Sequence, residues 1–105
     1  MTQLTTLQNL SREFDIKRTK GGYDVVLFND DKTDRDFVIS LLIAVFRMSR
    51  IDAQSLVSHV ERVGKGVAGS YSSLDVAQTK RDKAISMARS ENYPLQITVE
   101  KADES

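Results

Sequence analysis

The chain of 105 residues contains no cysteine, no tryptophan, one proline and one histidine. The lack of cysteine excludes disulfides, thiolate metal sites and cysteine nucleophiles, and it fits a reducing compartment. A single histidine without cysteine supplies too few ligands for a structural zinc site. The sequence therefore predicts a domain held together by its apolar core, without a metal or another cofactor.

Long apolar runs and an excess of charge of one sign are also missing. No segment approaches the roughly 18 apolar residues of a membrane span, and the N-terminus lacks the basic and apolar regions of a secretory signal. Basic and acidic residues balance at 15 each, so no overall field attracts nucleic acid or an anionic membrane. We expect a cytoplasmic monomer with neither nucleic-acid nor membrane partners.

Motifs of the common enzyme classes are absent from the sequence. The segment Gly64-Lys65-Gly66 has neither Walker spacing nor a Ser or Thr after the lysine. No motif marks a Ser nucleophile for His59, and a lone helical histidine is usually a surface or boundary residue. We therefore expect a protein that is not an enzyme.

The residues that are present suffice for one compact domain with a modest core, since 40% of them are hydrophobic. Residues 1–22 combine scattered leucines with Thr, Gln and Ser, and they end in Gly21-Gly22, which we interpret as a flexible joint. The predicted organisation is a flexible N-terminal extension over residues 1–22, a core domain over 23–102 and a polar end over 103–105.

The core is organised around a strand that runs directly into a helix. Residues 23–28 are rich in Val, Tyr and Phe and predict a strand, which Asn29-Asp30-Asp31 ends. Thr33, with Asp36 three residues later, predicts a capping box at the start of an amphipathic helix. Such a junction gathers polar acceptors at the edge of an apolar core and favours a small polar-rimmed pocket.

The remaining elements follow from periodicity and capping signals. A second helix is predicted from the capping box of Ser49 and Asp52 to Gly64, and a third from the capping box of Ser72 and Asp75 to a stop before residue 92. Residues 66–71 and the alternating residues 95–100 predict two further strands. The order β-α-α-β-α-β predicts an α+β two-layer fold, with a three-stranded, mostly antiparallel sheet covered on one face by three helices.

Several segments in this order resemble the ClpS family. They are the run from Val25 to Thr33, Asp36-Phe37-Val38, Gly64-Lys65, the run from Val76 to Lys80, Pro94-Leu95 and the run from Glu100 to Ala102. The resemblance covers roughly residues 23 to 102. It implies an adaptor that captures proteins by a bulky N-terminal Phe, Leu, Tyr or Trp, an N-degron, and docks on the N-terminal domain of a ClpA- or ClpC-type AAA+ unfoldase of the ClpP protease.

The resemblance also implies roles for individual residues. Asn29 and Asp30 match the acceptors of the substrate's α-amino group and first peptide. Asp75 and Lys80 match the unfoldase-docking surface, and the resemblance gives an extended N-terminal arm a part in substrate delivery. The positions that match the family's side-chain pocket are Thr33, Val38, Met48, Val57, Val60 and Leu95.

Two departures from the family's pattern involve three positions. Asp34 and Arg35 stand where the family usually has proline and a gating methionine, and Glu61 stands where it usually has a histidine that helps to hold the α-amino group. Glu61 lies four residues after Val57 on one helix face, so its carboxylate either pairs with the substrate's ammonium or is held by Arg35 across the pocket mouth. The second arrangement predicts a module that docks on the unfoldase without reading N-termini.

Other interpretations stay open for these residues. Asn29-Asp30-Asp31 could be a solvated turn, the valines and Leu95 ordinary core, and Met48 a core plug. Asp75 and Lys80 could belong to a solvated helix face. The scaffold also resembles the C-terminal domain of the ribosomal stalk protein, and a fold by itself does not fix a function.

Overall fold

The computed structural model describes residues 21–102, so nearly all of the predicted N-terminal extension and the polar end at 103–105 lie outside the described residues. The predicted order of elements is confirmed. The elements are β1 (Tyr23–Phe28), α1 (Arg35–Phe46), α2 (Arg50–Val63), β2 (Lys65–Tyr71), α3 (Leu74–Ser90) and β3 (Ile97–Lys101). No helix within residues 21–102 is long and apolar enough to cross a bilayer.

The three strands form one sheet in the order β2-β1-β3, and β1 pairs antiparallel with both neighbours. The predicted α+β fold is therefore confirmed, with both strand pairs antiparallel. Val25 pairs with Gly69 and Val26 with Val67, which leaves Ala68 as an extra residue in β2. At the other end of β1, the amide of Phe28 still donates to the carbonyl of Gln96 at 3.1 Å, so β1 is held up to the point where it meets the polar junction.

The core lies between the sheet and the three helices. Because β1 alternates sides, Val25 and Leu27 point to the same face, and both are almost fully buried. The helices contribute apolar stripes to this core, with the small residues Ala77, Ala84 and Ala88 along α3. From α1 and α2 the buried residues are Val38, Ile39, Leu41, Leu42, Val45, Ala53, Leu56, Val57 and Val60.

The capping prediction is confirmed for one helix and is wrong by one residue for two. The Ser49 hydroxyl accepts the amide of Asp52 at 3.1 Å, as predicted for α2. For α3 the cap is Ser73 instead of Ser72, with its hydroxyl accepting the amide of Val76. Val76 itself is 44% exposed, because it lies about 100° around α3 from Ala77, whose face carries the buried Ala84 and Ala88.

At the start of α1 the cap is Asp34 instead of Thr33. The Asp34 carboxylate accepts the amide of Phe37 at 3.0 Å. The Thr33 hydroxyl is directed instead to the Asp30 carboxylate, to which it donates at 2.9 Å. The residue that departs from the family's proline therefore has a structural task of its own.

β1 begins at Tyr23 as predicted, and one further backbone hydrogen bond holds the residue before it. The carbonyl of Gly22 accepts the amide of Ala102 at 2.8 Å, and Gly22 is buried. Gly21 has a φ of 74°, a left-handed conformation that glycine adopts without strain. Of the two glycines interpreted as a flexible joint, Gly22 is thus fixed to the last residue of the described chain.

Candidate functional site

A depression of about 320 Å³, counted with its open mouth, lies where the end of β1 meets the start of α1, one face of α2 and the segment before β3. Because this volume includes open solvent at the mouth, it is an upper bound on the size of the depression. Its lining residues are Leu27, Phe28, Asn29, Asp30, Thr33, Arg35, Val38, Val57, Val60, Glu61 and Leu95. We call it the junction pocket.

The structure brings the residues predicted to bind the N-degron together in the junction pocket, with one exception. Asn29, Asp30 and Glu61 lie on its rim with Thr33 and Arg35, while Val38, Val57, Val60 and Leu95 supply buried apolar wall.

The exception is Met48. It lines a second depression at the other end of α1, together with Ser49 and Tyr71 among others. The twelve residues of α1 separate the two sites by roughly 18 Å at 1.5 Å per residue. The prediction that Met48 belongs to the side-chain pocket is therefore corrected. In the second depression, burial raises the pKa of Tyr71 above its ordinary value.

The Asp30 carboxylate organises the rim as the centre of a tight turn. Its Oδ1 accepts the amides of Lys32 at 2.8 Å and Thr33 at 2.7 Å, and its Oδ2 accepts the Thr33 hydroxyl at 2.9 Å. A carboxylate has about four acceptor sites, so these three bonds leave it able to accept one more. The turn holds Asp30 in one orientation, which makes it a preorganised acceptor.

The end of α2 holds the backbone of Asn29 in place. Its amide donates to the carbonyl of Gly64 at 2.9 Å. Gly64 ends α2 in a left-handed conformation with a φ of 111°, which explains glycine there. The backbone of Asn29 is thereby fixed while its side chain stays exposed at the rim.

A close approach of β2 and α2 sets the wall of the pocket. A Cβ atom added at Gly66 would lie 2.9 Å from Leu56 Cδ1 and 3.0 Å from Val60 Cγ2. The absence of a side chain at Gly66 therefore lets α2 pack directly on the strand. This packing sets the position of the face of α2 that lines the junction pocket, including Val57 and Glu61.

Arg35 and Glu61 face each other over the mouth. The Arg35 Nε donates to both carboxylate oxygens of Glu61, at 3.3 and 3.2 Å, and Nη2 donates to the Ser58 hydroxyl at 2.8 Å. The two charged side chains are 43% and 46% exposed. A pair this exposed contributes only about 0.2–1 kcal/mol, so it holds the two side chains together weakly.

Leu95 reaches the pocket from a loop that α3 secures. The Nη1 nitrogen of Arg89 donates to two carbonyls, that of Tyr93 at 2.7 Å and that of Leu95 at 3.0 Å. The Tyr93 ring packs against Phe37 of α1 with centroids 4.9 Å apart. Arg89 is thus a positioning residue for the pocket wall.

Sequence reasoning missed three contributors to the site. Leu27 and Phe28 line the pocket because they directly precede Asn29, and Ser58 binds the Arg35 guanidinium. The spacing of Ser58, three residues before Glu61 on one helix, was a usable signal for a shared face.

The two residues matched to unfoldase docking lie on α3, away from the junction pocket. Asp75 is exposed in the first turn of α3. Lys80 is only partly exposed, and its Nζ donates to the carbonyl of Val45 at 3.0 Å, near the C-terminal end of α1. Lys80 therefore has a helix-capping contact in addition to any surface role.

The chemistry of the junction pocket is that of recognition. Within residues 21–102 there is no cluster of three or more His, Asp or Glu side chains that could hold a metal ion. Apolar walls below a rim with two carboxylates, Asp30 and Glu61, and one guanidinium, Arg35, suit a ligand with an apolar side chain next to a cationic group. Fold and site together define a small α+β binding domain.

The chain belongs to the ClpS family. The family model described as ATP-dependent Clp protease adaptor protein ClpS matches residues 18–98. The ClpS adapter protein of Treponema denticola is 40% identical over 79 residues, which are 75% of this chain and 77% of that protein. The corresponding protein of Phenylobacterium zucineum is 43% identical over 79 residues, 75% of this chain and 72% of that protein.

A solved structure resembles the fold as well. Agrobacterium tumefaciens ClpS2 bound to L-phenylalaninamide superposes with a TM-score of 0.74 at 34% identity, covering 80% of this chain and 100% of that one. The family is thus confirmed both by sequence and by structure, and its members are described as adaptors of the Clp protease.

Proposed function

We propose that the protein is an N-degron adaptor. The junction pocket takes the bulky apolar side chain of a substrate's N-terminal residue, and the rim acceptors Asn29, Asp30 and Glu61 bind its α-ammonium and first peptide. The captured protein is then delivered to a ClpA- or ClpC-type unfoldase of the ClpP protease.

The observation that carries this proposal is the arrangement of buried apolar walls directly beneath carboxylate acceptors. An α-amino group with a pKa of about 7.7–8.0 is mostly protonated at neutral pH and needs such acceptors. L-Phenylalaninamide, the ligand of the Agrobacterium ClpS2 structure, presents this same combination of a free α-amino group and an apolar side chain.

The energies permit useful affinity. Burial of one such side chain contributes about 1.5–3 kcal/mol, and each charge-assisted hydrogen bond about 1.5–3 kcal/mol. At the upper end of these ranges, one side chain and three bonds exceed an association cost of at least ~4 kcal/mol by about 8 kcal/mol, which corresponds to micromolar binding. Opening the Arg35–Glu61 pair costs about 1 kcal/mol at most, because both side chains are half exposed.

The test is a titration of the full chain with fluorescent peptides that begin with Phe, Leu, Tyr or Trp, each with a free and an acetylated N-terminus. Free peptides should bind, and acetylation should abolish binding, since it removes the ammonium. A Ser-initiated peptide of otherwise identical sequence controls for the apolar side chain. Equal binding of free and acetylated peptides would refute the N-degron function.

A second candidate function is supported by the Arg35–Glu61 pair itself. If the pair keeps the mouth closed, the chain docks on the Clp unfoldase and modulates it without reading N-termini. In that case no free peptide binds, while the protein still co-purifies with the unfoldase N-terminal domain. The low energy of an exposed ion pair favours the N-degron function.

A further inference from the structure

Arg35 keeps hydrogen-bonding capacity beyond its contacts at the mouth. A guanidinium has five N–H donors. The observed bonds from Nε to Glu61 and from Nη2 to Ser58 account for two of them. The contact with Ser58 holds the guanidinium at the rim independently of Glu61, so Arg35 stays at the mouth when Glu61 takes another partner.

A ligand in the junction pocket changes the partner of Glu61. The ammonium of a bound N-terminus is attracted to the Glu61 carboxylate and competes with Arg35 for it. The Arg35 guanidinium is then left at the rim of the pocket with one neutral partner, the Ser58 hydroxyl. A cation in this state has a preference for an anionic neighbour.

The chain of the substrate offers one place for such an anion. With its first side chain in the pocket and its ammonium at the rim, the second residue has its Cα 3.80 Å from the first, so it lies at the mouth. A short carboxylate side chain at the second position therefore comes within reach of the Arg35 guanidinium. The charges then alternate across the mouth in the order Glu61, ammonium, Arg35, carboxylate.

We infer that Arg35 is a specificity-determining residue that selects substrates with an acidic residue directly after the bulky N-terminal residue. The inference rests on the proposed N-degron function and names its substrate class more narrowly. The chemical class is an N-terminal dipeptide with an apolar first and an anionic second side chain. Glu61 acts as the exchangeable partner that holds Arg35 in place until the ammonium arrives.

The experiment compares two fluorescent peptides that differ by one charge and are nearly isosteric, one beginning Phe-Asp and the other Phe-Asn. Wild type should bind the Phe-Asp peptide about three- to tenfold more tightly at low salt, as expected for a charged contact at a partly exposed rim. The ratio should shrink in high salt, which screens exposed charges. In Arg35→Gln the ratio should fall to about one, as the residue that provides the selection is lost.

Lys32→Gln is the matched control. Lys32 is exposed on the loop that leads into α1, three residues before Arg35, and Lys32→Gln removes the same charge, but Lys32 does not line the junction pocket. Its own link to the turn is through the backbone amide, which the substitution leaves in place. Lys32→Gln should therefore keep the wild-type preference, whereas a general field effect would reduce it as much as Arg35→Gln does.

The outcomes separate the two proposals. Equal affinity of wild type for both peptides, or a preference that survives Arg35→Gln or is lost equally in Lys32→Gln, overturns the selection by Arg35 and leaves the N-degron function standing. Failure of wild type to bind either free peptide refutes the N-degron function and the selection with it. Acetylated versions of both peptides verify that any binding runs through the N-terminus.

Discussion

Arg35 and Glu61, 26 residues apart in the sequence, meet across the mouth of the junction pocket, with Arg35 Nε 3.2 Å from Glu61 Oε2. At these two positions the resemblance to the ClpS family implies other residues, a methionine and a histidine. In this chain the two positions are coupled, since the cation and the anion pair with each other. The pair is a feature of this chain that single-residue comparison would not reveal.

The first prediction concerns this coupling. Glu61→Gln should weaken binding of a free Phe-initiated peptide with a neutral second residue by about 1.5–3 kcal/mol, the loss of one charge-assisted contact. Arg35→Met should strengthen it by up to about 1 kcal/mol, because the competitor for Glu61 is gone. A double-mutant cycle read by fluorescence anisotropy measures the coupling energy directly.

The same cycle tests the docking-only function, in which the ion pair closes the mouth: wild type should then bind no free peptide, and Arg35→Met should create binding. If wild type binds no free peptide and Arg35→Met fails to create binding, the ion pair is not the obstacle. The N-degron function would then be abandoned.

The second prediction concerns Asp30. In Asp30→Asn the amide oxygen can still accept the backbone amides of Lys32 and Thr33, but the Nδ2 group in place of Oδ2 can only donate to the Thr33 hydroxyl and no longer accepts from it. Stability should fall by only about 0.5–1.5 kcal/mol, while affinity for a free N-terminus falls by about 1.5–3 kcal/mol. Chemical denaturation and peptide titration measure the two effects. Asp31→Asn, the same change at an exposed neighbour outside the pocket lining, should alter neither.

The third prediction concerns Gly66. A Cβ atom in Gly66→Ala would press on Leu56 Cδ1 at 2.9 Å and Val60 Cγ2 at 3.0 Å, so these buried side chains or α2 itself have to shift. Overpacking of this kind costs about 1–3 kcal/mol of stability. Because α2 carries one wall of the pocket, peptide affinity should fall as well. Adding Leu56→Val, which shortens the contacted side chain, should recover part of the stability, and no recovery would argue against the steric cause.

The fourth prediction concerns docking. Asp75→Lys at the exposed start of α3 should weaken binding to the N-terminal domain of the Clp unfoldase several-fold, since rim charges set orientation and association rate. Peptide affinity should stay unchanged. The control is Glu91→Lys, an identical charge change at the far end of α3. Surface plasmon resonance with the immobilised domain measures this, and equal weakening by both variants would place the interface elsewhere.

Substitutions of Lys80 need a control for stability in the docking experiment. Its contact with the Val45 carbonyl means that Lys80→Glu should also lower the free energy of unfolding, by about 0.5–1.5 kcal/mol. A docking defect of Lys80→Glu counts toward the interface only if it exceeds the effect of Lys80→Met, which removes the same hydrogen bond without reversing the charge.

The sequence by itself determined the order of elements, the fold class and most of the pocket. Periodicity is a local property, so the alternation of β1 and the apolar stripes of α1 and α2 are written in consecutive residues. The strand-to-helix junction likewise places Asn29, Asp30 and Thr33 within five positions, and their meeting at one rim needs no long-range contact.

The tertiary structure decided the matters that depend on which of several competing partners a group finds. Thr33, Asp34, Ser72 and Ser73 all carry suitable capping oxygens, and the choice of Asp34 and Ser73 follows from the geometry around each helix start. Met48 matches a position of the family's side-chain pocket in the sequence, yet the length of α1 places it at the opposite end of the helix from the junction pocket.

The partner of Arg35 was beyond the reach of sequence for the same reason. Two arrangements of Glu61 were equally compatible with the spacing along α2, because both satisfy the carboxylate. Only the packing of α2 on β2 at Gly66, which sets where the helix lies, brings Glu61 and Ser58 within hydrogen-bonding distance of Arg35. Sequence specified the side chains at the mouth, and the close approach of a helix and a strand decided which of them pair.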